Sequence, residues 1–150
     1  MPGSGILNIR TYCDNLLNNK PMSGITPLQV AQALKIYAQT TLQLVEGLPE
    51  SSPIKELRLT IGDWRAMAHL GDYYAEKILG ATDLALYEKT GQIEQQTSAI
   101  RHLEAALEHW KKYVAVASSQ YRPQLLTRIG YVDLNQLTDK VAEDIAMAKN

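Results

Sequence analysis

The stretch Ser52 to Gly91, SPIKELRLTIGDWRAMAHLGDYYAEKILGATDLALYEKTG, decides the fold. Leu57, Ile61, Trp64, Ala68, Gly71, Ala75 and Ile78 recur at spacings of three and four, so they share one face of a helix. Met67, Leu70, Tyr74, Ala81 and Ala85 widen that face past half the circumference. A helix so apolar belongs at the centre of its fold. Ser52 as cap and Pro53 at the first position mark its start. Thr90-Gly91 marks its end. That span of about 37 residues is ~55 Å long, unless the chain breaks near Gly80. Gly62, Gly71 and Gly80 lie inside it at intervals of nine, half a rotation each. Each costs about 1 kcal/mol against alanine. Close approach of neighbouring helices, on one side for Gly62 and Gly80 and on the other for Gly71, is the expected compensation. Arg58, Arg65, His69, Asp72, Glu76 and Asp83 form a polar stripe, read as the wet side.

The flanking segments follow the same pattern. Upstream, Thr26-Pro27 starts a helix and Gly47 closes it. Leu28, Ala31, Leu34, Ala38, Leu42 and Val45 form its apolar face. A shorter helix is expected over Ile6 to Leu17, with Ser4 near its start and Asn18 to Pro21 ending it. Downstream, Ile93 to about Gln120 carries a stripe of Ala99, Leu103, Ala106, Leu107, Trp110, Val114 and Ala117. Arg122-Pro123 breaks it, and Gln124 to Arg128 is expected to add one further turn. Asp133-x-x-Gln136 resembles a capping box for a last helix that ends near Lys149. No segment alternates as a strand should, and no Asn-Gly or Asp-Gly hairpin signal occurs. The expectation is an all-α fold: an up-and-down antiparallel bundle of about four helices with a short extra N-terminal helix. It is read as a single helical domain over residues 1–150, with 1–5 as a flexible or extraneous tail.

Composition narrows the function. The 150 residues are 45% hydrophobic and 21% charged, enough for a core without staples. Fifteen Lys and Arg against 16 Asp and Glu leave a net charge of −1, which argues against nucleic acid and against a polybasic membrane anchor. No run reaches the roughly 18 apolar residues of a membrane span. The one cysteine, Cys13, excludes an intramolecular disulfide framework. His102 and His109 lie two helical turns apart, ~10.5 Å along the axis, too far for one ion to bridge. No metal site and no cofactor are expected. His69, Asp72 and Glu76 could be imagined as an acid–base set, but solvated helical ion pairs account for them. No catalytic centre emerges, and the domain itself is not expected to be an enzyme.

Tyr and Trp replace Phe throughout: eight, two and none. Trp64 and Trp110 fall on apolar stripes and are expected in the core. Tyr121, Arg122, Gln124, Arg128 and Tyr131 cluster around Pro123. They are the candidate ligand-binding residues, able to stack on and hydrogen-bond to a ligand. The competing reading has Tyr121 and Tyr131 plugging the end of the bundle.

Two resemblances add to this. Leu70-Gly71-Asp72-Tyr73-Tyr74 resembles the L-G-x-x-Y piece of a tetratricopeptide repeat, and Ala99 to Leu107 its second helix. The spacing is too long for a 34-residue repeat, and there is one copy where about three are needed. More of the chain, Leu57 to Ile145, resembles the C-terminal helical region of large bacterial carbohydrate-active proteins. The matching pieces are Glu56-Leu57-Arg58, Ile61-Gly62-Asp63, Met67 to Lys77, His109 to Tyr113 and Tyr121 to Leu126. Thr26 to Ala31 fits the opening of that region.

That resemblance implies a non-catalytic helical accessory or scaffold domain of a polysaccharide-degrading or carbohydrate-binding protein. Its partners would be neighbouring domains of the parent and carbohydrate, and its place periplasmic or secreted. The alternative is a tetratricopeptide-like adaptor for protein–protein interaction, which implies the cytoplasm. Neither reading involves nucleic acid or a membrane, and both leave a homo-oligomer open.

Overall fold

The computed structural model describes residues 3–48 and 53–150. They form helices α1 (Ile9–Leu17), α2 (Pro27–Glu46), α3 (Lys55–Thr90), α4 (Ile93–Gln120) and α5 (Leu134–Lys149). Between α4 and α5 lies a small hairpin, β1 (Gln124–Leu126) and β2 (Gly130–Val132). The all-α bundle with its short N-terminal helix is therefore as the periodicity predicts. No helix among the described residues is long and apolar enough to cross a membrane.

α3 runs unbroken for 36 residues through Gly80. It packs against α4 on one side and α2 on the other, and α5 packs against α4. Neighbours run antiparallel. Arg65 of α3 donates to the Val45 carbonyl near the end of α2, while Lys35 meets Glu76. The α3–α4 pair folds about Gly91, whose left-handed φ of 68° suits glycine. The interior glycines lie where the helices come closest. A Cβ on Gly80 would meet Leu103 and the Ala99 carbonyl of α4, and one on Gly71 would meet Ala38 of α2. Gly62 and Gly80 thus face α4 and Gly71 faces α2, on the opposing sides that their spacing implies.

Many buried positions are alanines, among them Ala31, Ala38, Ala66, Ala75, Ala99 and Ala106, which keeps the axes near one another. The larger core cluster joins Tyr73, Ala106, Trp110, Val114 and Val141. Trp110 sits at its centre, tilted 57° against Tyr73 at 5.2 Å, with its indole N–H donating to Thr138 of α5 at 3.0 Å. α1 is pinned to α3 by wholly buried Cys13, whose thiol points at the Thr82 carbonyl, and by the Asp14–Lys89 ion pair.

Several expectations are corrected. α1 begins at Ile9 behind an Asn8 cap, not near Ser4, because Ile6 bridges to Ile25 in extended form. α3 begins at Lys55, two residues after Pro53, with Ile54 at the cap position. The expected Ser52 cap lies outside the described residues. Gln124 to Leu126 is a strand and not a helical turn. Pro123 lacks the N–H that would continue the helix, and a three-residue loop closed by Gly130 at φ 94° turns the chain back. Trp64 is 44% exposed and not in the core. With Met67 at 67% and Tyr74 at 50%, it lies on an uncovered apolar stripe of α3.

The stripe read as wet is the reverse case. Asp72 and Glu76 are only 6% and 9% exposed, because they sit in the groove that α2 and α4 roof over.

Candidate functional site

Two features could carry chemistry: a cleft at the hairpin end, and the roofed polar stripe of α3.

The cleft has a volume of about 670 Å³. Met67, Leu70, Tyr113, Leu126 and Leu134 give it apolar walls, and Asp63, Arg122, Gln124, Asp133 and Asn135 bring polar groups to it. The helix break at Pro123 shapes it by swinging the hairpin over the ends of α3 and α4. Strand alternation then aims Gln124, Leu126 and Val132 at the cleft. Asp133 caps α5 by accepting the N–H groups of Asn135 and Gln136. Asp63 accepts two hydrogen bonds on Oδ1, from the Tyr121 hydroxyl at 2.6 Å and from the Gln120 amide at 2.9 Å. The bond to Asp63 holds the Tyr121 phenol above its ordinary pKa.

Of the residues singled out in the sequence, Tyr121, Arg122 and Gln124 line this cleft. Arg128 stands exposed at the hairpin turn. Tyr131 pairs with Leu125 across the hairpin and is exposed on its outer face, outside the cleft. Asp63 carries no functional signal in the sequence. The side-chain pairing with Tyr121 spans 58 positions, so local sequence gave no sign of it.

The polar stripe of α3 is met from both neighbours. Lys35 of α2 lies 2.6 Å from Glu76 Oε1, and His102 Nδ1 of α4 lies 2.5 Å from Oε2. Burial pushes the Glu76 carboxyl up, but Lys35 and His102 outweigh it and hold the group below the usual carboxylate range. An ionised carboxylate can only accept, so His102 donates through Nδ1. Asp83 stands 3.9 Å from the other ring nitrogen.

One to two turns toward the N-terminus of α3, His69 and Asp72 face His109 of α4. His109 Nδ1 is 3.6 Å from Asp72 Oδ2, beyond hydrogen-bond range. Burial raises the Asp72 carboxyl, and burial aided by the nearby Lys112 charge lowers the His69 imidazole. Nδ1 of His69 and Nδ1 of His109 are both buried without a hydrogen-bond partner. His102 and His109, two helical turns apart on α4, face different carboxylates, Glu76 and Asp72. It is His69, 40 positions away, that comes alongside His109. A signal existed: α3 and α4 pair as mirror images about Gly91, which sets Asp72 opposite His109 and puts His102 level with Gly80, between Glu76 and Asp83.

The tetratricopeptide-like piece, Leu70 to Tyr74, lies in mid-helix. Gly71 there accommodates α2 rather than the second helix of a short repeat.

No protein-family model matches the sequence, and no curated protein matches it. Among solved structures, the fold is similar to part of a GH138 enzyme targeting pectin rhamnogalacturonan II. The TM-score is 0.74 at 15% identity, with 95% of this chain and 23% of the enzyme covered. The chain thus spans less than a quarter of that enzyme's length, and the likeness is one of fold.

Proposed function

We propose that this chain acts as a non-catalytic helical accessory domain of a larger carbohydrate-active protein, and that its cleft meets a saccharide. The observation behind the proposal is the fold correspondence: nearly the whole chain matches a part of a longer enzyme that acts on pectin. A self-contained helical unit inside such an enzyme has to pack against its neighbours. Exposed Trp64 and Tyr74, outside the cleft, are suited to that contact. The saccharide assignment draws on the cleft itself. Tyr113 and Tyr121 offer flat apolar faces, and Asp63, Arg122, Gln124 and Asn135 offer acceptors and donors for ring hydroxyls. Two carboxylates, Asp63 and Asp133, also border the cleft. Asp63 already accepts two hydrogen bonds and Asp133 is used as a helix cap, so neither is poised as a free acid or base.

The test is a titration of the purified chain with pectic oligosaccharides, read by intrinsic fluorescence, beside an assay for released reducing ends. Saturable one-to-one binding is expected, weakened at least about tenfold by Tyr121→Ala or Arg122→Ala, with no sugar released. Release that Asp63→Asn or Asp133→Asn abolishes would overturn the non-catalytic half. Absence of binding across the panel would overturn the saccharide half.

A further inference from the structure

The histidines of this chain differ in one respect. His102 has a carboxylate oxygen at 2.5 Å from Nδ1, whereas Nδ1 of His69 and Nδ1 of His109 are buried with no hydrogen-bond partner, the nearest Asp72 oxygen standing 3.6 Å from His109. Buried polar atoms are nearly always satisfied, so two orphans flanking one carboxylate call for an occupant. One ligand atom from each of His69, Asp72 and His109 lies within 4.8 Å of the others. We propose that these three side chains bind one divalent first-row transition metal ion, zinc above all, which clamps α3 to α4.

The geometry is close to what such an ion needs. Three atoms no more than 4.8 Å apart always have some point within about 2.8 Å of all of them. Zinc bonds to imidazole nitrogen and carboxylate oxygen are ~2.0–2.2 Å, so closure by under about 1 Å per side chain completes the set. Small χ adjustments supply that movement without shifting either helix. The donors select the class of ion. Two imidazoles and one carboxylate suit zinc, cobalt and nickel, whereas calcium and magnesium call for sets built from oxygen. Three protein ligands leave a fourth position for water. His109 retains 26% of its side-chain surface, which gives an ion a way in, while Asp72 retains 9% and supplies a desolvated negative charge. His69 and Asp72 share a helical face through their spacing of three, and α4 adds the third ligand from across the seam. Lys112 sets its positive charge near His69 and opposes the ion.

This inference is independent of the saccharide reading, and its readouts do not involve sugar. The full chain is freed of metal with a chelator and titrated with zinc and with cobalt. One ion per chain is expected, and melting should rise by about 5–10 °C at a hundredfold excess over Kd. Cobalt should develop visible bands and shift or broaden the ring NMR signals of two histidines out of three. His69→Gln, His109→Gln and Asp72→Asn should each weaken binding at least about tenfold, while His102→Gln retains it. Lys112→Gln should tighten it. The cobalt signature is read on the wild-type chain, so a variant that fails to fold leaves the test intact. No stoichiometric binding, equal stabilisation by magnesium, or a loss with His102→Gln as large as with His69→Gln would overturn the proposal.

Discussion

Gly80→Ala and Gly71→Ala make the same change in the same helix and should move stability in opposite directions. In a helix interior, alanine is better than glycine by about 1 kcal/mol, chiefly because the unfolded chain has less freedom to lose. At Gly71 that gain is unopposed. The new methyl would lie 3.6 Å from Ala38 Cβ and 3.9 Å from the Leu34 carbonyl oxygen, ordinary contact distances. At Gly80 it would lie 2.9 Å and 3.0 Å from Leu103 Cγ and Cδ2 and 3.2 Å from the Ala99 carbonyl oxygen. Leu103 is itself buried, and Ala99 presents backbone, so neither can swing aside. Overpacking of this kind costs about 1–3 kcal/mol, which exceeds the propensity gain. The expected outcome is Gly71→Ala more stable by about 0.5–1 kcal/mol and Gly80→Ala less stable by about 1 kcal/mol. For a chain of this size the two melting temperatures should then differ by about 4–8 °C. Urea unfolding of both variants, with unchanged m, is the assay. If Gly80→Ala is as stable as Gly71→Ala, the α3–α4 approach described above is wrong.

Other perturbations discriminate as sharply. Lys35 and His102 hold the Glu76 carboxyl below its ordinary value of 4.5, so their contribution to stability is full above that value and is lost as pH falls through the lower, folded one. Unfolding free energy should therefore drop on acidification below about pH 4.5, and Glu76→Gln, less stable at pH 7, should show a flatter profile. Trp110→Ala should cost about 3–5 kcal/mol, whereas Trp64→Ala should stay within about 1 kcal/mol on thermal unfolding, since Trp110 is in the core and Trp64 is exposed at the surface. The Tyr121 phenol should titrate above its ordinary value by ultraviolet difference spectroscopy, and Asp63→Asn should bring it back down. A Tyr121 phenol unaffected by Asp63→Asn would remove the hydrogen bond on which that edge of the cleft is built.

Legibility in the sequence followed the range of the interactions. Cap residues, prolines and apolar spacing act within a few residues. From them the helices 27–46, 93–120 and 134–149 could be placed almost to the residue, and the length of α3 could be read through its glycines. Thr26 caps α2 and Asp133 caps α5, as their sequence positions imply, but the reciprocal side-chain bond of a capping box is made by Gln29 on α2 and not by Gln136 on α5. The hairpin at 124–132 escaped because its turn is a three-residue loop followed by one positive-φ glycine, Gly130 at the start of β2, rather than a two-residue turn signal. At the cleft, Tyr121, Arg122 and Gln124 could be named as neighbours in sequence. Arg128 is carried away from it by the hairpin turn and Tyr131 by strand alternation, neither of which the helical expectation contained.

The amino-acid sequence alone determined that this chain is helical, where the helices run and which residues could face a neighbour. It could not determine which face each neighbour covers. Periodicity fixes the angular position of a side chain about its own axis, and the burial of that position depends on where the next axis lies. α2 and α4 pack on either side of the polar stripe of α3, where Gly71 lets α2 approach and Gly62 and Gly80 let α4 approach, so Ile61, Ala68 and Ala75 are buried along with the stripe between them. Asp72 and Glu76 were thereby buried, and Trp64 and Tyr74 were left outside. The same choice brought His69, Asp72 and His109 together across positions 40 residues apart.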